Sequence, residues 1–355
     1  FEELRKEAWY LHREAELFYF KDNENLTRRI QTEAEALPQA RIDQLLTRWL
    51  EFALEPRSKM AYQALLVMPE IREIQEEVSR HRVLVVVKPD NSVPPEDMRR
   101  LYNSLDEKNN LLILSGNDTH LAQRVDNALR ELYAVENILN GSLDNEALRQ
   151  EAQEKREDAE QSFTQALQST FNRLFFPGAE GLTGATIENG LKFRATDQHT
   201  AEKQIEELLA SSRCDYKLVL DLQNNTLAYM SMAEQFLWPQ GQRRVPWRDI
   251  LLKAKTSPEW PWMPGNKGME QLKKHAIAQD RWRDTNDGYI EKGPFPKEKT
   301  AVSIINQESA PETGEIILQL STKYAGQNPR IHYADSSAVS ENDPVIENPE
   351  AFRTN

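Results

Sequence analysis

A single cysteine, Cys214, stands among 355 residues, so the chain can form no internal disulfide and no cysteine cage for a metal. That scarcity points to a reducing compartment, the cytoplasm. The six histidines (His12, His81, His120, His199, His275 and His332) are scattered, and no two stand three to five residues apart with a carboxylate to complete a zinc site. Long apolar runs are missing too. Runs such as Val83–Val87 and Leu111–Leu114 fall far short of the ~20 residues a membrane helix needs, so no membrane partner is expected. No G-x-x-x-x-G-K-[ST] string occurs, so no segment cradles nucleotide phosphates by that motif. Two weaker glycine sites, Gly265-Asn266-Lys267-Gly268 and the strand-to-helix junction Ser115-Gly116-Asn117-Asp118, read as turns. Cys214 has only Arg213 and Asp215 beside it and reads as an incidental thiol. No catalytic residue, metal ligand or cofactor is therefore assigned to this segment.

What is present is enough to fold. With 39% hydrophobic residues, 12 Phe, 10 Tyr and 7 Trp, the chain can build two or three cores at the usual ~100–150 residues per domain. The net charge of −13 argues against a general nucleic-acid coat protein. The charge is uneven, however: Gly241–Thr300 carries 13 Lys/Arg against 8 Asp/Glu, a net +5 in an acidic chain. The sequence opens at Phe1 without an initiator Met or signal-peptide pattern and is expected to be a piece of a longer protein.

The patterns predict an α/β multidomain chain. Residues 1–80 read as a helical section, with Glu2–Phe20 free of Gly and Pro and with Ile42, Leu45, Leu46, Trp49, Leu50 and Ala53 on one helical face. Residues 81–140 read as an α/β unit, the runs Val83–Val87 and Leu111–Leu114 forming a short parallel sheet with right-handed crossovers. Residues 141–178 read as a long helical arm. Its charged first half contrasts with an apolar interaction stripe, Phe163, Leu167, Phe171, Leu174 and Phe175, suited to docking or self-association. Residues 179–225 continue the α/β pattern, with a strand or hairpin around Asn189-Gly190, a helix over Thr200–Arg213 and a strand over Tyr216–Leu222.

Three short helices (Leu227–Trp238, Trp247–Lys255 and Met269–Trp282) and an Asp287-Gly288 turn give residues 226–296 a winged-helix-like layout. Residues 297–355 read as the start of a β-sandwich, fibronectin-like end. The basic block falls on the winged-helix-like module. Arg243, Arg244, Lys253, Lys273, Lys274, Arg281 and Arg283 are the candidates for contacting duplex DNA, since Lys and Arg supply phosphate contacts and the last helix of such a module enters a groove. The interleaved Trp238, Trp247, Trp260, Trp262 and Trp282 read as a small core. A protein-docking or structural role fits the same module, and a nuclease or hydrolase in the α/β unit is a lesser alternative.

Three stretches carry a family resemblance: Leu17-Phe18-Tyr19-Phe20 running into Glu24-Asn25-Leu26; Val83–Val87 closing on Lys88-Pro89; and Trp282 with Asp287-Gly288-Tyr289-Ile290 ahead of Lys299-Thr300-Ala301-Val302. Together they make the chain similar to the C-terminal half of very large bacterial AAA+ P-loop ATPases of anti-phage defence islands, a family known as a domain of unknown function. The ATPases of BREX and Pgl systems stand as close alternatives. Arg330-Ile331-His332-Tyr333-Ala334-Asp335-Ser336 resembles the tail sandwich found in that family. The resemblance implies an ATP-driven defence factor whose parent protein binds ATP and Mg. It also implies methyltransferase and helicase subunits as partners. The phosphate loop and Walker B acid of such a motor would precede Phe1, so ATPase activity is carried to no residue here.

Overall fold

The computed structural model describes residues 25–295 apart from 91, 117, 142, 144–145 and 194–199, together with the segments 11–14, 17–20, 303–304 and 318–319. Near the start, β1 (Leu11–Glu14) pairs antiparallel with β2 (Leu17–Phe20). These residues lie inside Glu2–Phe20, expected to be helical. Lack of Gly and Pro permits a helix without selecting one, and Leu17-Phe18-Tyr19-Phe20 has the aromatic content that strands favour. Helix α1 (Leu26–Ala36) is capped by Asn25, whose Oδ1 accepts the Thr27 N–H at 3.0 Å. Helix α2 (Gln39–Leu54) buries Ile42, Leu46, Leu50 and Ala53 along the expected face.

A five-stranded mixed sheet follows. Three parallel strands, β3 (Ala64–Val67), β4 (Val83–Val86) and β5 (Leu111–Ser115), are linked by α3 (Ile71–Val78) and α4 (Glu96–Ser104). Strand β3 breaks the all-helical reading of residues 1–80. Its four apolar residues lack alternation, and so short a run does not declare its type by periodicity. Beyond β5 come α5 (Thr119–Asn140) and α6 (Glu146–Thr170), then the hairpin β6 (Arg173–Gly178) and β7 (Gly181–Thr186), which adds antiparallel to β5. Strand order is β3-β4-β5-β6-β7.

Alternate residues of the buried strands feed two cores. Val83, Val85, Leu111 and Ile113 pack with Ile74, Val78, Met98 and Leu101 of α3 and α4. Leu84, Val86, Leu112 and Leu114 meet Ile42 and Leu46 of α2 and Phe163 and Leu167 of α6. The sheet is thus covered by helices on both faces, which is why β4 and β5 read as unbroken apolar runs.

The long-arm expectation needs two corrections. Helix α6 stops at Thr170 rather than running to Phe176, because Leu174-Phe175-Phe176 enters β6, where Ile113 pairs with Phe175, and the following Pro177 disfavours helix at its predecessor. The proposed interaction stripe is core throughout: Phe163, Leu167, Phe171, Leu174 and Phe175 are all buried, with Leu174 and Phe175 on opposite faces of the sheet. Nor does the charged half project alone. Ala152 is buried with Ala134, Val135 and Ile138 of α5 and with Leu26 and Ile30 of α1.

Helix α7 (Thr200–Leu209) comes next. The expected strand Tyr216–Leu222 is absent among the described residues; Leu218 makes one isolated bridge, to Trp262. The chain then forms α8 (Thr226–Phe236), β8 (Arg244–Pro246), α9 (Trp247–Thr256), α10 (Gly268–Ala278), β9 (Trp282–Asp284) and β10 (Tyr289–Lys292), the strands ordered β8-β10-β9 and antiparallel. Trp238, Trp247, Trp260 and Trp282 form their core with Met230, Ile250 and Leu272. The helix expected to reach Trp282 ends at Ala278, and Asp280 takes a left-handed φ of 55° on the way into β9.

All of this belongs to one unit, Phe1–Gly293; the second unit is Pro294–Asn355. In it β11 (Ser303–Ile304) pairs antiparallel with β12 (Leu318–Gln319). The rest of the fibronectin-like expectation, Arg330–Ser336 included, lies outside the described residues. Among the described residues no helix is long and apolar enough to cross a membrane.

The tryptophan-rich segment is tied to the sheet by Asn109, buried just ahead of β5. Its Nδ2 donates to the carbonyls of Ala254 (2.7 Å) and Trp260 (3.1 Å), its Oδ1 accepts from Lys217 Nζ at 2.6 Å, and its backbone oxygen accepts from Trp262 Nε1 at 2.6 Å. Asn109→Ala removes three of these bonds and leaves a buried ammonium short of an acceptor. We expect a loss of about 3 kcal/mol, read from the midpoint of urea unfolding.

Candidate nucleic-acid interface

The seven cations predicted to face phosphate divide into two groups. Three are engaged inside the 226–293 segment. Arg281 Nε donates to Glu234 Oε1 at 2.7 Å and its Nη2 to Oε2 at 2.8 Å and to Ser231 Oγ at 2.9 Å, fastening the entry of β9 to α8. Lys273 sits 2.6 Å from Asp284 and 5.1 Å from the centroid of the Trp247 ring, and is largely buried. Arg244 pairs with Asp287 across the β9–β10 turn and lies 4.4 Å over the Tyr289 ring. Geometry favours these three as braces of the fold.

The other four are exposed, as is Arg244. Lys253 on α9 and Lys274 on α10 form no ion pair among the described residues. Arg243 lies 3.9 Å from Glu291 and donates to the Lys292 carbonyl at 3.3 Å, and Arg283 is on the outer side of β9. Lys274 stands two positions from both Leu272 and Ala276, off the buried stripe of α10, and Lys253 stands at the edge of the α9 stripe beside Ala254, and both side chains are exposed.

Glu234 is the electrostatic centre of the braces. Burial would raise its carboxyl, but hydrogen bonds from Arg281 and Trp282 Nε1 (2.7 Å), with the charges of Arg281 and Lys292, outweigh it and hold the group below its ordinary 4.5. A carboxylate depressed on folding contributes its stability above the unfolded value, and that contribution is lost as pH falls through the lower native one.

Elsewhere the chemistry fastens loops. At the carboxyl ends of the parallel strands, Lys88 is held by Asp43 (2.9 Å) and Asp126 (3.4 Å). Asp90 accepts from Ser92 N and Oγ at 2.7 Å and from Glu96 N at 3.0 Å. At the Ser115–Asp118 junction Asp118 caps α5 through His120 N at 2.8 Å, and a Cβ on Gly116 would collide with the Thr170 carbonyl. Burial pushes the Cys214 thiol up to about 12, against a smaller lowering by Arg213, so it stays protonated. Among the described residues no cluster of three His, Cys, Asp or Glu could hold a metal.

Sequence reasoning missed Lys217 and Arg82. Lys217 is buried, and burial followed by the charge of Arg82 brings its pKa down to about 7. The two cations lie 5.4 and 5.6 Å from the Trp262 ring centroid. The available signals were a lysine inside the apolar run Tyr216–Leu222 and an arginine abutting the strand Val83–Val86.

The split between braces and exposed charges is testable by stability alone. Lys273→Glu places like charge against Asp284 and is expected to cost about 2 kcal/mol, whereas Lys274→Glu stays within ~0.5 kcal/mol of the parent. Glu234→Gln is expected to flatten the loss of stability as pH falls below the ordinary 4.5 of a glutamate, measured by urea titration at each pH. No family model matches the chain, and no curated protein or solved structure was found similar to it.

Proposed function

We propose that this chain is a non-catalytic part of an ATP-dependent anti-phage defence protein and that its 226–296 module engages duplex DNA. The observation that carries the DNA reading is the exposed set Lys253, Lys274, Arg243 and Arg283 on a segment whose remaining candidate cations, Arg244, Lys273 and Arg281, are held in ion pairs with Asp287, Asp284 and Glu234. The order helix, strand, helix, helix, strand, strand, with the first strand beside the last, is that of a winged helix, and it supports placing α10 in a groove with the Asp287-Gly288 turn over the backbone. The ATP-dependent part, including ATP and Mg in a parent protein and methyltransferase or helicase partners, rests on the sequence resemblance alone. So do the division into a helical section, an α/β unit and an arm and the cytoplasmic location rest on sequence patterning.

A second reading, a structural or oligomerisation module without DNA contact, is favoured by exposed Leu227 (59%) and Leu252 (53%) on α8 and α9. The buried Phe163–Phe175 stripe lends it nothing.

Fluorescence anisotropy with a duplex of random sequence separates the two. If four phosphates are contacted, log K falls against log salt with a slope of about −3.6, and Lys253→Glu with Lys274→Glu flattens it by about 2. No measurable binding at low salt refutes the DNA reading, and concentration-dependent mass in light scattering would then favour the assembly reading.

A further inference from the structure

A cavity of about 500 Å³ lies between the α3–β4 connection and the tryptophan-rich segment. Its charged lining has one sign, set among the amides Gln63, Asn109, Asn110 and Asn266. Arg80, His81 and Arg82 enter from the turn ahead of β4, and Arg248 and Lys255 enter from α9. No Asp or Glu is among its lining residues, although the chain as a whole is net −13. Trp260 and Trp262 contribute apolar wall. We propose that this cavity binds a phosphorylated small molecule of about nucleotide size.

Three observations converge on phosphate. The first is number and kind: three guanidiniums, an ammonium and an imidazole surround one space, and guanidinium forks match phosphate oxygens bidentately where a single carboxylate would leave charge uncompensated. The second is the lack of internal compensation. Arg82 donates to the carbonyls of Met60 (2.7 Å), Met263 (2.9 Å) and Gly265 (3.0 Å), forms no ion pair among the described residues, and keeps its solvent-shielded Nε without a hydrogen-bond partner. Behind it Lys217 is satisfied only by neutral acceptors, Asn109 Oδ1 at 2.6 Å, Trp260 O at 3.2 Å and Pro258 O. A guanidinium bonded to neutral oxygens keeps its charge uncompensated, and walls of low dielectric focus that potential into the opening. The third is availability. Arg248 and Arg80 are 87% and 65% exposed at their side chains, and their ion pairs, to Asp249 at 3.4 Å and Glu77 at 3.7 Å, are solvent-exposed and weak enough for a phosphate to compete with. Lys255 reaches the Ser79 and Arg80 carbonyls at 3.4 and 3.3 Å, which holds the two cationic walls together around the space. The volume falls in the range of small-molecule sites and exceeds what a bare phosphate fills.

The site is independent of the outward DNA-contact candidates, none of which lines it. The test is calorimetric titration of the whole chain with AMP, inorganic pyrophosphate and adenosine at about 20 mM salt. AMP and pyrophosphate are expected to bind saturably and to weaken as salt rises, while adenosine does not bind. Arg248→Ala and His81→Ala, both at exposed positions, are each expected to weaken AMP about tenfold with an unchanged circular dichroism spectrum. Lys274→Glu is expected to leave AMP affinity unchanged. The proposal is overturned if neither phosphate ligand binds up to about 5 mM, if adenosine binds as well as AMP, or if Lys274→Glu weakens AMP as much as Arg248→Ala does.

Discussion

The buried amide of Asn109 is the constraint on which the rest of the arrangement depends. It stands at the foot of β5, the strand that joins the parallel and antiparallel halves of the sheet. From there it reaches the end of α9, Trp260, Trp262 and Lys217. Buried polar groups cost free energy unless each is bonded, so a network of this kind holds only when all of its members arrive together. It therefore fixes the position of the tryptophan-rich segment against the sheet in a way that apolar packing alone does not. Apolar contact is non-directional, whereas an amide with two donors and an acceptor specifies partners and angles.

The same joint concentrates positive charge. Arg82 and Lys217 approach one indole ring from within hydrogen-bonding frames made of carbonyls, and neither finds a carboxylate among the described residues. Further out, the charges of α10 and of the β9 and β10 strands behave differently: Glu234, Asp284 and Asp287 each neutralise a nearby cation and lock a strand end. Basic composition thus serves three purposes in this segment. Some cations brace, some are exposed, and some line an open pocket.

The helices and the buried strands were legible because their signals are local. The 3.6-residue spacing of Ile42, Leu46 and Leu50, and the unbroken valine-rich apolar run at Val83–Val86, each report burial directly. Reading the tryptophans as one small core holds for Trp238, Trp247, Trp260 and Trp282, whereas Trp262 is buried in the core of the large sheet. The strands β1, β2 and β6 were hidden because their sequences satisfy helical spacing equally well, and partner strands decided between the two. Leu174 and Phe175 show this plainly, since pairing with Leu114 and Ile113 sends adjacent residues to opposite faces.

By itself the sequence determined which segments are amphipathic, where the basic block lies, and that one cysteine and scattered histidines offer no ready disulfide or zinc site. Only the tertiary structure decided which basic residues are exposed. Lys273 and Lys274 are neighbours of identical chemistry, yet one is folded against Asp284 and the Trp247 ring and the other is exposed. The cavity beside Trp262 was likewise invisible in the chain, because Arg82 and Arg248 are far apart in sequence and meet only when the sheet and α9 close on one another. The physical reason is range: hydrophobic periodicity is a property of neighbours, while the electrostatic state of a side chain is set by whatever the fold brings to it.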